Sequence, residues 1–208
     1  MKKLTLLLIT VLMTTVMYGQ FHIGPQIGYT SSKLSYNTTD IQNSMQSNMV
    51  VGVFMRLGKK IYLQPELNYL TQGSVFRTPT LGNTNPVEQT VKLKSIQVPL
   101  SLGFQLLDIK VVKLRIFGGA TANFVINKDV SPVTGSGVNP ADYLTANNFK
   151  NSNFQYQVGA GVDVFMLTLD IKYYGPLDKL TNGGVKFDGK TIDAGSSVFM
   201  VTLGWKIL

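Results

Sequence analysis

The chain has 208 residues, of which 44% are hydrophobic and only 14% are charged, and its formal net charge is +8. Soluble proteins usually carry about 25% charged residues, so the composition favours a protein whose surface largely meets an apolar medium. The absence of cysteine excludes disulfides, a thiolate metal site and a lipidated N-terminal cysteine.

The N-terminal segment has the three parts of a secretory signal peptide. Two lysines follow Met1, an apolar run covers about residues 4–16, and Gly19 offers a small residue for cleavage. The run is too short for a transmembrane helix, which needs roughly 20 apolar residues. We predict a signal peptide at 1–19 and one mature domain at 20–208. Loss of the two lysines with the signal lowers the net charge from +8 to +6.

The mature chain alternates between apolar and polar residues. In Phe21–Tyr29 the odd positions are apolar or aromatic and the even positions are polar or glycine, and Val198–Leu208 repeats the pattern. Side chains of a strand project to opposite faces with a period of two. An apolar outer face and a polar inner face behind an export signal predict an all-β fold: an eight-stranded antiparallel up-and-down transmembrane barrel in the outer membrane.

Eight strands are predicted, and their connections alternate in length. The strands are Phe21–Ser32, Met49–Leu57, Ile61–Gln72, Val91–Phe104, Val111–Asn127, Asn153–Val164, Leu167–Leu177 and Ser197–Leu208. Short connections are predicted at 58–60, 107–110 and 165–166, and long ones at 33–48, 73–90, 128–152 and 178–196. Short periplasmic turns and long extracellular loops are typical of outer-membrane barrels. The even number of strands places both chain ends in the periplasm.

Two local features refine this interpretation. Pro25, Pro65 and Pro99 fall inside strands, where each is expected to mark a bulge or a strand end because proline removes a ladder hydrogen bond. Aromatic residues of the outer face are predicted to form two girdles at the membrane interfaces. The loop-end girdle comprises Tyr29, Tyr69, Phe124, Tyr156, Tyr173 and Phe199, and the turn-end girdle comprises Phe21, Phe104 and Trp205.

Charged residues on the inner face are the first candidate site. They are Arg56, Glu66, Lys113, Arg115, Asp163, Asp170, Lys172 and Lys206. An eight-stranded barrel has an interior that side chains fill, and buried charges must be paired. We therefore predict a structural role, in which ion pairs close the lumen. The alternative is a narrow path for small solutes, which five cations against three anions would make selective for anions.

Catalytic and cofactor signals are weak. His22 is the single histidine, and Ser101 and Thr202 are its possible neighbours in the lumen, but nothing marks them as a nucleophile and base. One histidine and no cysteine predict no metal site. The sequence Gly159-Ala160-Gly161 lies within a strand and lacks the third glycine of a dinucleotide fingerprint, so no cofactor is predicted. The short lysine clusters do not predict a nucleic-acid surface.

Several short motifs resemble one family. They are Tyr62–Tyr69, Ile96–Leu102, Phe117–Gly119, Gly159–Asp163 and Leu169–Tyr173. Together they are similar to the outer-membrane β-barrel domain of Bacteroidetes-type bacteria, often called PorT-like, over essentially the whole mature chain. The resemblance implies an eight-stranded barrel with no catalytic residues. Some members of that family assist a secretion and gliding apparatus.

The sequence therefore predicts a non-enzymatic protein of the outer membrane with a structural or binding role. Its long extracellular loops are the expected binding surface, since loops on a rigid scaffold often carry function. Outer-membrane lipids and other envelope proteins are the expected partners, and the sequence does not indicate an oligomeric state. The alternatives are a narrow channel, a barrel enzyme that acts on lipids, and a soluble periplasmic barrel that binds a ligand.

Overall fold

A computed structural model describes residues 21–35, 42–77, 88–109, 111–131, 150–178, 185–187, 190–192 and 195–207. The strands are β1 (Phe21–Ser35), β2 (Gln42–Gly58), β3 (Ile61–Arg77), β4 (Glu88–Ile109), β5 (Val112–Val130), β6 (Ser152–Val164), β7 (Leu167–Pro176), β8 (Val185–Phe187), β9 (Lys190–Ile192) and β10 (Gly195–Trp205). Within these ranges, no helix is long and apolar enough to cross a membrane. The signal peptide predicted at 1–19 lies outside the described residues.

Eight of the strands form a closed antiparallel barrel in the order β1-β10-β7-β6-β5-β4-β3-β2. Each barrel strand is hydrogen-bonded to the next barrel strand along the chain. The first strand, β1, also pairs with the last, β10, where Gln26 lies opposite Gly204, and this pairing closes the cylinder. The predicted eight-stranded up-and-down barrel is confirmed. The separate β8–β9 hairpin, in the connection between β7 and β10, was not predicted.

The strands on one side of the barrel are longer than the sequence pattern predicts. β4 has 22 residues and starts at Glu88, and β2 has 17 and starts at Gln42, so parts of the predicted loops at 33–48 and 73–90 are strand. The turn predicted at 107–110 is also shorter, since β4 continues to Ile109. Beyond the membrane both faces of a strand meet water, so the apolar alternation disappears while the backbone pairing continues.

Strand length divides the barrel into a tall wall and a low wall. A strand crosses the bilayer with about 9–11 residues. β1 to β5 have between 15 and 22 residues, whereas β6, β7 and β10 have 13, 10 and 11. The additional residues of β1 to β5 lie mainly at the loop end, so this tall wall extends beyond the membrane there.

Side chains alternate between lipid and lumen as predicted. In β10, Phe199, Leu203 and Trp205 are exposed on the outer face, while Met200 and Thr202 are buried inside. The aromatic residues of both predicted girdles are exposed on the outer face. The apolar outer surface is the surface that lipid covers, and the inner face builds the lumen.

The prolines keep the strand register, contrary to the prediction. Strand pairing keeps one register across Pro25, Pro65 and Pro99. Register shifts lie elsewhere, between residues 45 and 50 of β2 and at 94–95 and 105–107 of β4. A residue in a strand offers its N–H to only one of its two neighbouring strands. Pairing is interrupted over two residues beside Pro65 and Pro99, and the pairs on either side hold the register.

The turns are tight where the sequence places them. Gly58, the last residue of β2 before the turn to β3, has φ of 120°, a conformation that favours glycine because it has no Cβ. Phe165, in the turn between β6 and β7, has φ of 52° and is largely exposed. These turns bring β2 and β3, and β6 and β7, into register at one end of the barrel.

A charge on the outer face tests the membrane-embedded orientation. Leu203→Arg, between the two girdles, is expected to lower the free energy of unfolding in lipid vesicles by about 2–4 kcal/mol. Ile207→Arg, beyond Trp205 at the turn end, is expected to cost about 1 kcal/mol or less. Urea titration of both variants measures the difference. Equal costs at the two positions would contradict a bilayer centred between the girdles.

Candidate functional site: the barrel lumen

Asp163 of β6 is the centre of a buried charge cluster near the turn end of the lumen. Its Oδ2 lies 2.8 Å from Nη1 of Arg56 and 3.1 Å from Nζ of Lys206, and its Oδ1 lies 2.8 Å from Nη2 of Arg115. The four residues come from β6, β2 and β5 and from the segment after β10. One carboxylate therefore holds cations from distant parts of the chain, as a buried charge requires.

Asp170 extends this cluster along β7. Nη2 of Arg115 lies 2.6 Å from its Oδ1, and Nη1 of the same arginine donates to the Tyr62 hydroxyl at 3.1 Å. A Cβ at Gly161 would collide with Asp170 and with the Arg115 guanidinium. Glycine at position 161 therefore provides the space that the Arg115–Asp170 pair occupies. The Arg56 guanidinium also stacks over the Tyr62 ring, 5.1 Å from its centroid.

Glu66 and Lys172 form a second centre, higher in the lumen. Nζ of Lys172 lies 2.6 Å from both carboxylate oxygens of Glu66. Three amides also donate to Glu66: Gln26 at 2.8 Å, Gln64 at 2.7 Å and Asn68 at 3.2 Å. The carboxylate is thus satisfied by four side chains from β1, β3 and β7, and the geometry is of the kind that compensates the desolvation of a buried ion pair.

Two contacts join the centres into one network. Lys172 lies 3.8 Å from Asp170, and Nε of Arg56 donates to Oε1 of Gln64 at 2.8 Å. Seven of the eight charged residues predicted for the lumen are buried in this network. Lys113 is the exception: its side chain is 23% exposed and lies 3.8 Å from Asp108 at the turn-end rim. The sequence prediction that groups Lys113 with the other lumen charges is not supported by this placement.

A layer of neutral polar side chains lines the lumen on β4, β5 and β6. Gln157 donates to the Ser101 hydroxyl at 2.6 Å, and Asn123 donates to Asn153 at 2.9 Å. Several polar atoms of this layer are buried without a hydrogen-bond partner: Gln97 Oε1, Thr121 Oγ1, Asn123 Oδ1, Asn153 Nδ2 and Gln157 Oε1. We call this group the amide layer. It carries no charge, unlike the network nearer the turn end.

Apolar side chains fill the lumen toward the loop end, on the strands that the amide layer does not use. Val50, Leu70, Tyr174, Val198 and Met200 form one cluster, and none of them is accessible to solvent. The Tyr174 hydroxyl donates to Sδ of Met200 at 3.8 Å. This apolar layer was missed by the sequence analysis, which assigned a polar inner face. The available signal was the broken alternation of Met49-Val50-Val51, where an apolar residue occupies an inward position.

The three residues considered for catalysis, His22, Ser101 and Thr202, lie on different strands of the barrel. His22 lies on β1 opposite Arg56 and is partly buried, and Ser101 accepts the hydrogen bond of Gln157. Thr202 is buried on β10 opposite Asp170. In the part of the chain that the structure describes, no group of three or more His, Cys, Asp or Glu side chains is arranged to hold a metal ion. Ser101 and Thr202 are thus buried lumen side chains, and His22 lies beside the ion network.

Comparison with known proteins identifies the class of the protein. The model of the outer membrane protein beta-barrel domain matches residues 14–182, and the chain belongs to this family. The protein is thus an outer-membrane β-barrel protein. Comparison with curated proteins gives no match.

Three solved structures illustrate what the chain is similar to, and the first of them supports the fold. OprG from Pseudomonas aeruginosa is similar with a TM-score of 0.51 and 13% sequence identity, over 91% of this chain and 96% of that one. Ail, the attachment invasion locus protein of Yersinia pestis, is similar with a TM-score of 0.45 and 13% sequence identity, over 90% of this chain and 99% of that one. Neisserial surface protein A is similar with a TM-score of 0.45 and 12% sequence identity, over 90% of this chain and 97% of that one.

Removal of one partner from the upper ion pair tests the lumen network. Glu66→Ala leaves the Lys172 ammonium buried without the carboxylate that it contacts at 2.6 Å, and it is expected to cost about 3–5 kcal/mol of unfolding free energy. The double variant Glu66→Ala/Lys172→Ala is expected to cost less than the sum of the two single variants. Urea unfolding in vesicles measures all three proteins.

The exposed pair Lys94–Asp129, 3.8 Å apart on the tall wall, provides the control. Asp129→Ala is expected to cost less than about 1 kcal/mol because solvent screens this pair. Additive effects at Glu66 and Lys172, or a cost no larger than that of Asp129→Ala, would show that the buried pair does not stabilise the lumen.

Proposed function

We propose that the protein is a closed, non-enzymatic barrel that serves the outer membrane as a structural or binding component. The ion network of the lumen carries this proposal. The cations that would line an anion path are held by carboxylates: Arg56, Arg115 and Lys206 by Asp163, and Lys172 by Glu66. The apolar layer toward the loop end is a second obstruction in series with the network. Function is therefore expected at the outside of the barrel.

The tall wall supports a binding role on the extracellular side. At about 3.4 Å per residue, the 22 residues of β4 extend about 70 Å, whereas a tilted crossing of the hydrocarbon core uses only about half of that length. Paired strands hold this extension rigidly, with Gly73–Arg77 of β3 opposite Glu88–Lys92 of β4. A rigid wall that supports loops outside the membrane is suited to present a binding surface.

We also propose a place within the PorT-like group and a role beside other envelope proteins. The motifs that carry this resemblance contribute the central residues of the lumen. Tyr62–Tyr69 includes Glu66, Gly159–Asp163 includes Asp163, and Leu169–Tyr173 includes Asp170 and Lys172. The resemblance thus extends to the side chains that close the barrel, in addition to its apolar outer face.

A narrow path for water or small neutral solutes is the second candidate. The amide layer favours it, because amide and hydroxyl atoms of Gln97, Thr121 and Gln157 are buried without a partner and would gain hydrogen bonds from entering water. Such a path would run beside the amide layer on β4, β5 and β6. It would pass the charged network only if the lumen widened on that side. Osmotic shrinkage of vesicles that contain the barrel distinguishes this candidate from the closed barrel.

The closed-barrel proposal predicts that the protein does not conduct ions across a bilayer. Purified protein inserted into planar membranes is expected to give no single-channel events, and vesicles that contain it are expected to shrink in hyperosmotic solution at the rate of protein-free vesicles. A general porin reconstituted in the same way is the positive control. Reproducible conductance steps would overturn the proposal, and faster shrinkage without conductance would favour the narrow path.

Surface labelling tests the direction in which the tall wall points. The chain contains no cysteine, so a single introduced thiol reports one position. A maleimide too large to cross the outer membrane is expected to label Lys92→Cys, on the exposed face of β4, in intact cells. Lys59→Cys, in the β2–β3 turn, is expected to react only after the membrane is permeabilised. The reverse pattern would place the wall in the periplasm.

A further inference from the structure

An apolar groove crosses the outer face of β3, β4 and β5 near the turn end. It has a volume of about 340 Å³ and is lined by Ile61, Leu102, Phe104, Ile116 and Gly118, together with the two inward residues between them. Ile61, Phe104 and Ile116 lie side by side in register on the three strands. The groove therefore opens toward the acyl chains of the leaflet that faces the periplasm.

Position 118, which lines the groove, has no side chain to fill it. A Cβ at Gly118 would lie 3.4 Å from the carbonyl oxygen of Gln157 and 3.9 Å from Cγ1 of Val158, which is ordinary van der Waals distance. The backbone thus has room for a larger residue here. Other glycines of the barrel, such as Gly161, lack this room because their neighbours already fill the space. The notch at Gly118 is consequently open on the lipid side.

Lys60 lies at the turn-end mouth of this groove, and Lys59 precedes it in the same turn. Lys59 and Lys60 are exposed in the β2–β3 turn, directly before Ile61. Nζ of Lys60 lies 5.7 Å from the centroid of the Phe104 ring, and the Lys60 carbonyl accepts a hydrogen bond from Gln105 N–H at 2.8 Å. This backbone contact fixes the turn against β4. Asp108, near the turn end of β4, lies 3.8 Å from Lys113.

We propose that this groove binds one anionic phospholipid of the periplasmic leaflet. An acyl chain lies in the notch over Gly118, against Leu102, Phe104 and Ile116, and the phosphate lies beside the ammonium groups of Lys59 and Lys60. Charge complementarity selects this occupant: apolar side chains are followed, at headgroup depth, by two lysines that attract a negative headgroup. A neutral lipid would fill the notch but gain less from the lysines.

Native mass spectrometry in detergent tests the site with phosphatidylglycerol and phosphatidylethanolamine in competition. One phosphatidylglycerol is expected to bind, with a preference of about fivefold for each lysine that contacts it. Lys59→Gln/Lys60→Gln is expected to abolish the preference. Gly118→Val is expected to weaken the binding of both lipids, because the new side chain occupies the notch without a clash inside the barrel.

Ala122→Val is the matched control. It adds bulk to the same outer face of β5, four residues from Gly118 and outside the groove, and is expected to leave lipid binding unchanged. Gly118→Ala, a smaller filling, is expected to give an intermediate loss. Heat-modifiable mobility on gels verifies that each variant is folded. Equal retention of the two lipids by the unmodified protein would overturn the proposal. Phosphatidylglycerol binding whose strength Gly118→Val and Gly118→Ala leave unchanged would also overturn it, because the attraction would then involve the lysines alone.

Discussion

The pairing of charges inside the barrel is the constraint on which the rest of the structure depends. Seven charged side chains of the described residues are buried in a lumen that lipid surrounds on all sides. A buried ion without a partner is unstable, so each strand must bring its charge to a particular height and position. Asp163 accepts contacts from three cations, and Glu66 accepts one cation and three amides. The register of the barrel and the closure of its lumen are therefore linked.

The interior changes character along the barrel axis and around it. The ion network occupies the turn-end part, the amide layer lines β4 to β6, and the apolar layer around Tyr174 and Met200 fills the lumen toward the loops. An eight-stranded cylinder is narrow enough for side chains to fill it, and these residues do so with different chemistry at each level. The tall wall outside the membrane and the groove beside Lys60 are the surfaces that we propose for binding other molecules.

The sequence predicted the barrel because lipid imposes a strict period of two on its outer face. The same reasoning placed Arg56, Glu66 and Asp163 in the lumen, but the pairing partners depend on strand register, which alternation does not specify. It missed the strand extensions, where water on both faces removes the apolar signal, and it missed the apolar layer at Val50. Lys113 has the inward parity of the lumen charges yet lies at the rim, because parity defines a face and carries no information on depth.

Reactivity of a thiol inside the lumen tests the closed interior most directly. Ser101→Cys places a small thiol at a fully buried position of the amide layer, and Asn127→Cys places one on the exposed part of β5. If the lumen is closed, a small water-soluble methanethiosulfonate modifies the second variant readily and the first only after unfolding. Modification of both thiols at similar rates in the folded barrel would contradict a lumen closed by paired charges and packed side chains.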